Sequence, residues 1–270
     1  MIISAHASRW LIAAVAAPII LWVLFLGPPL AFLILVALAG GLAWWEYHSA
    51  CFEVSRPGLL ATALLGWLLV AGGAHFFGPV GQSAGLAAAV TLGCLFFLFR
   101  FAREQSLLDQ LGRLVLGHGY LSLFLSFLIL LYSLENGSRW ILFCLLTTFL
   151  GDASAFYAGR NFGRRPLYPS VSPNKTWEGL AGGVIGSGVT AALTAAFLLP
   201  TPWHQAGLLG LLLGPWAAAG DLVESMLKRA VGVKDSGRLL MGHGGMWDRI
   251  DATLFNAPAV YLFAWLSGGH

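Results

Sequence analysis

Nine apolar runs dominate the chain, at about residues 10–27, 29–46, 58–76, 81–100, 114–133, 139–159, 178–199, 205–227 and 252–268. Each approaches the roughly 20 residues that carry an α-helix across a bilayer. Inside hydrocarbon every backbone N–H and C=O needs a partner within the protein, and runs of this length satisfy that as helices. Composition agrees. Charged residues are 10% of the chain and hydrophobic ones 58%, whereas soluble domains carry roughly 25% charge. The expected fold is an all-α, polytopic transmembrane helical bundle of about nine spanning helices. Gly27-Pro28-Pro29 predicts a tight turn between the first two. Arg9 ahead of an apolar run has the look of a signal peptide, but the run from Trp10 to Gly27 exceeds the roughly 7–15 residues of a signal core. A second run follows at once, so the first reads as a retained helix.

The basic residues test this topology. Alternate connections of the nine-helix arrangement, with the N-terminus and adjoining helix ends, hold Arg9, Arg56, Arg100, Arg103, Arg113, Arg160, Arg164, Arg165, Lys175, Lys228, Arg229, Lys234, Arg238 and Arg249. Of the 15 Lys and Arg only Arg139 falls on the other side. Cytosolic loops carry such an excess, so the N-terminus is expected in the cytosol of a bacterial-type inner membrane and the C-terminus outside. Both long polar connections, Arg160–Trp177 and Lys228–Asp251, then face the cytosol, as do nearly all acidic residues, Glu135 excepted. Residues 1–135 form an N-terminal set of transmembrane helices. Residues 136–270 are expected to form a C-terminal set that carries the two cytosolic loops, where any catalytic chemistry should be sought.

Two carboxylates sit where lipid should not tolerate them. Asp152 lies inside the sixth run and Asp221 inside the eighth. A carboxylate at a helix centre costs at least about 2.5–3.5 kcal/mol on insertion scales, so such groups face a bundle interior or a polar cavity. Asp152 precedes Arg160 by eight residues and Asp221 precedes Lys228 by seven, which places each roughly 10–12 Å below its basic boundary. Matching depth on two helices suggests one shared site; the alternative is that each is satisfied separately, by an Arg or by helix–helix hydrogen bonds. Asp221, Glu224 and Lys228 follow the i, i+3, i+7 spacing of one helical face; Glu224 could equally pair with Lys228. Asp248 and Asp251 flank Arg249 and also share a face, although acidic residues in a first helical turn are favoured by the helix dipole alone. Carboxylates gathered at one depth repel unless cations lie among them, and oxygen-rich, sulfur-free clusters suit Mg²⁺.

Gly242-His243-Gly244-Gly245 lies between the basic and acidic parts of the second loop. Glycines can turn backbone N–H groups toward an anion, or simply make a flexible re-entry turn. Lys228, Arg229, Lys234 and Arg238 upstream could bind phosphates or anionic headgroups. In the first loop, Lys175 stands at the entrance of the seventh helix as a phosphate contact, and Thr176 or Asn174 suits capping. Gly179, Gly182, Gly183, Gly186 and Gly188 then read as close helix packing. Cys51, Cys94 and Cys144 have no zinc or CxxC spacing. The histidines are scattered, and no Ser-His-Asp set, Walker A loop or zinc motif can be assembled.

These residues together resemble the signature of phosphatidate cytidylyltransferases, the CDP-diacylglycerol synthases. The resemblance rests on Ser225-Met226-Leu227-Lys228-Arg229, Lys234-Asp235-Ser236-Gly237 and Gly242-His243-Gly244-Gly245-Met246-Trp247-Asp248-Arg249-Ile250-Asp251, with family spacing kept throughout. The runs Gly151 to Arg160 and Ser172 to Gly179 look like family features too. Met241 departs from the pattern, standing where the family has proline, which removes a fixed φ before the glycines. The resemblance implies transfer of a cytidylyl group from CTP to phosphatidate, giving CDP-diacylglycerol and pyrophosphate, with Mg²⁺ and potentially a second cation, in a protein able to form a homodimer. On that footing Asp221 and Asp248 are expected to hold metal, with Asp152, Glu224 and Asp251 beside them. Lys175, Lys228, Arg229, Lys234 and Arg249 would contact phosphates, and His243, Ser225, Gly242, Gly244 and Gly245 would complete the nucleotide site. Two other classes compete. A CTP-dependent enzyme for another lipid phosphate or a polyprenol would share the polyanion site. A transporter would also carry intramembrane carboxylates, but with paired repeats or broken helices, which the sequence lacks.

Overall fold

A computed structural model describes residues 17–52, 57–101, 106–234, 236–237 and 245–268. Helix covers the described part of every one of the nine apolar runs, so the protein is an all-α, multi-pass membrane bundle. The helices are α1 (residues 17–25), α2 (Pro29–Cys51), α3 (Pro57–Leu98), α4 (Leu107–Gly117), α5 (Leu123–Ser133), α6 (Gly137–Phe162), α7 (Trp177–Leu198), α8 (Trp203–Ala230) and α9 (Trp247–Leu266). A π-helical turn, His118–Ser122, joins α4 to α5 into one continuous rod. Among the described residues, six helices are long and apolar enough to cross a membrane, with α3 counted once and α4–α5 taken together. Large apolar side chains such as Leu68, Phe76, Ile185, Phe197, Leu208 and Leu212 lie exposed on them, a surface that lipid rather than water suits.

α3 is two legs rather than one rod. The chain reverses at Gly78, with φ 63° and ψ −147°, and Pro79 opens the return leg. A side chain is disfavoured at that φ, and glycine is not. The expected break between the third and fourth runs is thus this hairpin. The legs approach closely: a Cβ on Gly73 would enter the carbonyl of Gly81, and one on Gly85 the backbone of Leu69.

The described residues fall into two compact units. One draws on Met1–Ser126 and Asp235–Asp248, the other on Phe127–Lys234 and Arg249–His270. In the first, large aromatic residues pack on small ones, Trp67 on Gly40 and Trp44 on Gly117. Three buried polar side chains there find partners, as an apolar interior favours. Trp44 Nε1 donates to Ser122 Oγ at 2.8 Å, Trp67 Nε1 to the Ala37 carbonyl at 3.0 Å, and Gln82 Nε2 to Ser126 Oγ at 2.8 Å.

In the second unit α6, α7 and α8 pack in antiparallel succession through small residues. Gly182 and Gly183 meet Ala158 and Ala155 of α6, while Gly210 and Gly214 of α8 meet Ala191 and Val184 of α7. Backbones can approach this closely only where side chains are absent or tiny; the glycine run read from α7 serves packing. α9 joins through Asn256 Nδ2, which donates to Thr148 Oγ1 at 2.8 Å. Between α6 and α7 the first long polar loop contains structure that hydropathy did not suggest. Strand β1 (Pro166–Tyr168) pairs antiparallel with β2 (Ser172–Thr176), Pro166 opposite Thr176 and Tyr168 opposite Ser172.

The hairpin packing makes a direct prediction. Gly73→Leu forces the two legs of α3 apart and is expected to cost about 1–3 kcal/mol, as overpacking does. A melt of the purified protein in detergent should shift down by several degrees; an unchanged melt would show that the legs do not touch there.

Candidate active site

Asp221 and Glu224 stand one turn apart on α8, and Asp251 stands in the second turn of α9. Gly220 makes their meeting possible: a Cβ there would collide with the Asp251 carbonyl and the Phe255 ring. Carboxylate oxygens of Asp221, Glu224 and Asp251 all lie within 4.8 Å of one another. Glu224 is buried at 2% exposure, whereas Asp221 remains partly open.

Lys175 enters from β2, and its placement has a traceable cause. Thr176 caps α7, its hydroxyl accepting from Gly179 N–H at 3.1 Å. Glu178, two residues on, accepts Arg164 N–H at 3.0 Å and Arg165 N–H at 3.2 Å through Oε2. Trp177 N–H donates to the Arg165 carbonyl at 3.0 Å. The hairpin is therefore tied at its base to the start of α7, and Lys175 projects from the tied end. Its Nζ lies 2.6 Å from Asp221 Oδ2 and 3.5 Å from the Ala218 carbonyl. Asp152 of α6, Asp221 and Asp251 fall within electrostatic reach of one another and of Lys175.

A second lysine lies deeper. Lys228 Nζ is 2.7 Å from Glu224 Oε1, and both side chains are almost wholly buried. The structure thus forms the i, i+4 pair that the sequence allowed, and holds Glu224 in the carboxylate group as well. Counted as ionised, Asp152, Asp221, Glu224 and Asp251 exceed Lys175 and Lys228 by two negative charges. Carboxylates this close relieve their repulsion by taking up a proton or a cation. The donor set is oxygen only, which fits a hard divalent ion of the Mg²⁺ type.

The remaining expected residues are placed as follows. Ser225 is half-buried on α8, and Arg229 is exposed, its Nη1 donating to the Val233 carbonyl at 3.1 Å. Lys234 and Arg249 are exposed. Asp248 belongs to the first unit, where its Oδ2 accepts Gly245 N–H at 2.7 Å, so that this N–H is occupied by the chain's own carboxylate. Met241, Gly242, His243 and Gly244 lie outside the described residues. Two residues escaped the sequence reading: Glu178, which fixes the hairpin, and Glu46, which gathers donors around Trp247. A lone acid at the end of an apolar run was the available signal for Glu46.

A profile of the cytidylyltransferase family matches residues 7–267, and the chain belongs to that family. A Bacillus subtilis phosphatidate cytidylyltransferase is 34% identical over 258 residues, 94% of this chain and 96% of the relative. Proteins named phosphatidate cytidylyltransferase from Mycobacterium bovis and Mycobacterium tuberculosis are each 38% identical over 199 residues, 69% of this chain. The chain spans 64% and 60% of the length of those two mycobacterial relatives.

Lys228 tests the electrostatics of the site. Lys228→Met leaves Glu224 buried without its counter-ion and is expected to cost about 3–5 kcal/mol. Adding Glu224→Gln should recover most of the loss. Denaturant or thermal melts in detergent read both, and a single variant as stable as the parent would show that Glu224 does not depend on Lys228.

Proposed function

We propose that this chain transfers the cytidylyl group of CTP to phosphatidate, giving CDP-diacylglycerol and pyrophosphate, with Mg²⁺ as cofactor. The observation that carries this reading is the Asp221–Glu224–Asp251 group, with Lys175 and Lys228 bound into it, in a membrane-embedded member of the cytidylyltransferase family. Relatives named phosphatidate cytidylyltransferase support the choice of lipid.

The chemistry asks for little beyond charge and position. A phosphate oxygen of phosphatidate forms a bond to the α-phosphorus of CTP, the bond from that phosphorus to the β-phosphate oxygen breaks, and pyrophosphate leaves. The attacking oxygen is already anionic, so no strong base is required. Two polyanions must instead be brought together, and electrostatic stabilisation does most of the work in such transfers. Asp221, Glu224 and Asp251 would hold Mg²⁺, with Asp152 adjoining. Asp248 joins this set on its place in Asp248-Arg249-Ile250-Asp251. The ion would neutralise attacking and leaving oxygens. Lys175 sits on the open side of the group and would exchange its contact with Asp221 for a phosphate. Lys228 would hold Glu224 in place and add positive charge. Arg229, Lys234 and Arg249 would draw the triphosphate in, and Ser225 with the Gly242–Gly245 turn, His243 included, would complete the nucleotide site. The half of the chain from residue 136 onward carries most of this set, facing the cytosol of a bacterial-type inner membrane, with CTP arriving from water and the lipid from the side.

The purified protein in lipid nanodiscs, given α-labelled CTP, Mg²⁺ and phosphatidate, should form labelled CDP-diacylglycerol, and chelation should abolish it. Asp221→Asn is expected to lower kcat by about 100-fold or more, the scale on which charge stabilisation of a transition state is lost. A labelled product formed from a different lipid phosphate, but not from phosphatidate, would contradict the proposed substrate. Mg²⁺-dependent turnover undiminished in Asp221→Asn would contradict the proposed metal set.

A further inference from the structure

Glu46, near the end of α2, is a carboxylate with only 1% of its surface exposed, and no step of the proposed transfer uses it. Its two oxygens collect three donors. Oε1 accepts Met246 N–H at 2.9 Å; Oε2 accepts Trp247 N–H at 2.8 Å and the Ser236 hydroxyl at 3.3 Å. Gly237 and Gly245 press against the same carboxylate, and a Cβ on either would intrude on it. With Gly245 N–H donated to Asp248, three consecutive backbone N–H groups at the start of α9 end on carboxylates. That is where the helix dipole favours negative charge. Tyr47, the next residue of α2, sets its ring against Trp247 at 5.2 Å between centroids, and Trp247 is fully buried.

The donors come from two stretches of one connection. Ser236-Gly237 and Gly245-Met246-Trp247 both belong to the segments that resemble the family signature, and the donors lie 190 to 201 residues from Glu46 in sequence. A buried carboxylate is tolerated when donors satisfy it, so the two stretches and Glu46 hold one another. We propose that Glu46 is a positioning residue. From α2 it clamps two stretches of the connection between α8 and α9, at Ser236-Gly237 and at Gly245-Met246-Trp247, and thereby sets the geometry on which cytidylyl transfer depends. The consequence for turnover rests on the function proposed above; the clamp itself does not.

Glu46→Gln keeps the volume and turns one acceptor into a donor facing a backbone N–H. Amide exchange at Met246 and Trp247 in the full-length protein is expected to speed up by about tenfold or more, the scale of one lost charge-assisted hydrogen bond. The same variant should lose about tenfold or more in kcat/KM for CTP. Gly40→Ala is the control: it lies on the same helix as Glu46 and crowds Trp67 of α3 without touching the clamp. It should lower the melting temperature yet leave both readouts of the folded protein at parental values, which a merely stabilising role for Glu46 would not distinguish. Should Glu46→Gln fail to fold, Gly237→Ala, which retains the carboxylate and crowds it, is expected to raise the same exchange. Parental exchange in these variants overturns the clamp. Faster exchange with parental kcat/KM overturns the positioning role. A parent protein without transfer activity sinks the proposed function, and the exchange comparison still decides the clamp.

Discussion

Charge in a low-dielectric bundle has to be neutralised within the protein, and the architecture of the second unit follows from that need. Each intramembrane carboxylate costs at least about 2.5–3.5 kcal/mol unless it is compensated. Lys228 compensates Glu224 from the same helix, and Lys175 compensates Asp221 from the β-hairpin. The Glu224–Lys228 pair lies within one helix, whereas the meeting of carboxylates from two helices needs close packing. The glycines and alanines facing one another on α6, α7 and α8, and Gly220 against α9, bring the backbones close enough for carboxylates from two helices to share 4.8 Å. Packing and electrostatics are thus one constraint seen from two sides.

A half-neutralised cluster is a poor stabilising device, because replacing buried ions by apolar groups is often neutral or favourable. Its persistence in the apolar segments of a cytidylyltransferase-family chain points to chemistry. The cluster is open at Asp221 and closed at Glu224. In the proposed transfer a polyanion would meet the partly exposed ammonium of Lys175 first, with the buried Glu224–Lys228 pair behind it.

Much of this was legible in the sequence because it depends on local spacing. Apolar run lengths locate the helices, Gly78-Pro79 falls inside the expected break, and Asp152 and Asp221 declare themselves by sitting among Leu, Ala and Phe. Thr176 and Asn174 both suit capping from the sequence, and Thr176 is the cap. What stayed hidden depends on long-range partners. The β1–β2 hairpin is short and polar, with no hydrophobic period to mark it, and Glu178 pins it through backbone groups that carry no sequence signal. Asp248 and Asp251 look equivalent at i, i+3, yet one holds Gly245 N–H and the other meets Asp221 and Glu224. Glu46 looks like the polar end of a helix, and only its partners some 200 residues away reveal its use.

The central claim is that the carboxylates of α8 and α9 leave a negative excess that a divalent cation fills. Mn²⁺ titration of the substrate-free protein in nanodiscs, followed by electron paramagnetic resonance, tests it without reference to turnover. A bound-ion signal is predicted in the parent protein and competition for it by Mg²⁺, with the signal lost in Asp221→Asn and in Asp251→Asn. Equal Mn²⁺ binding by the parent and both variants would contradict the account.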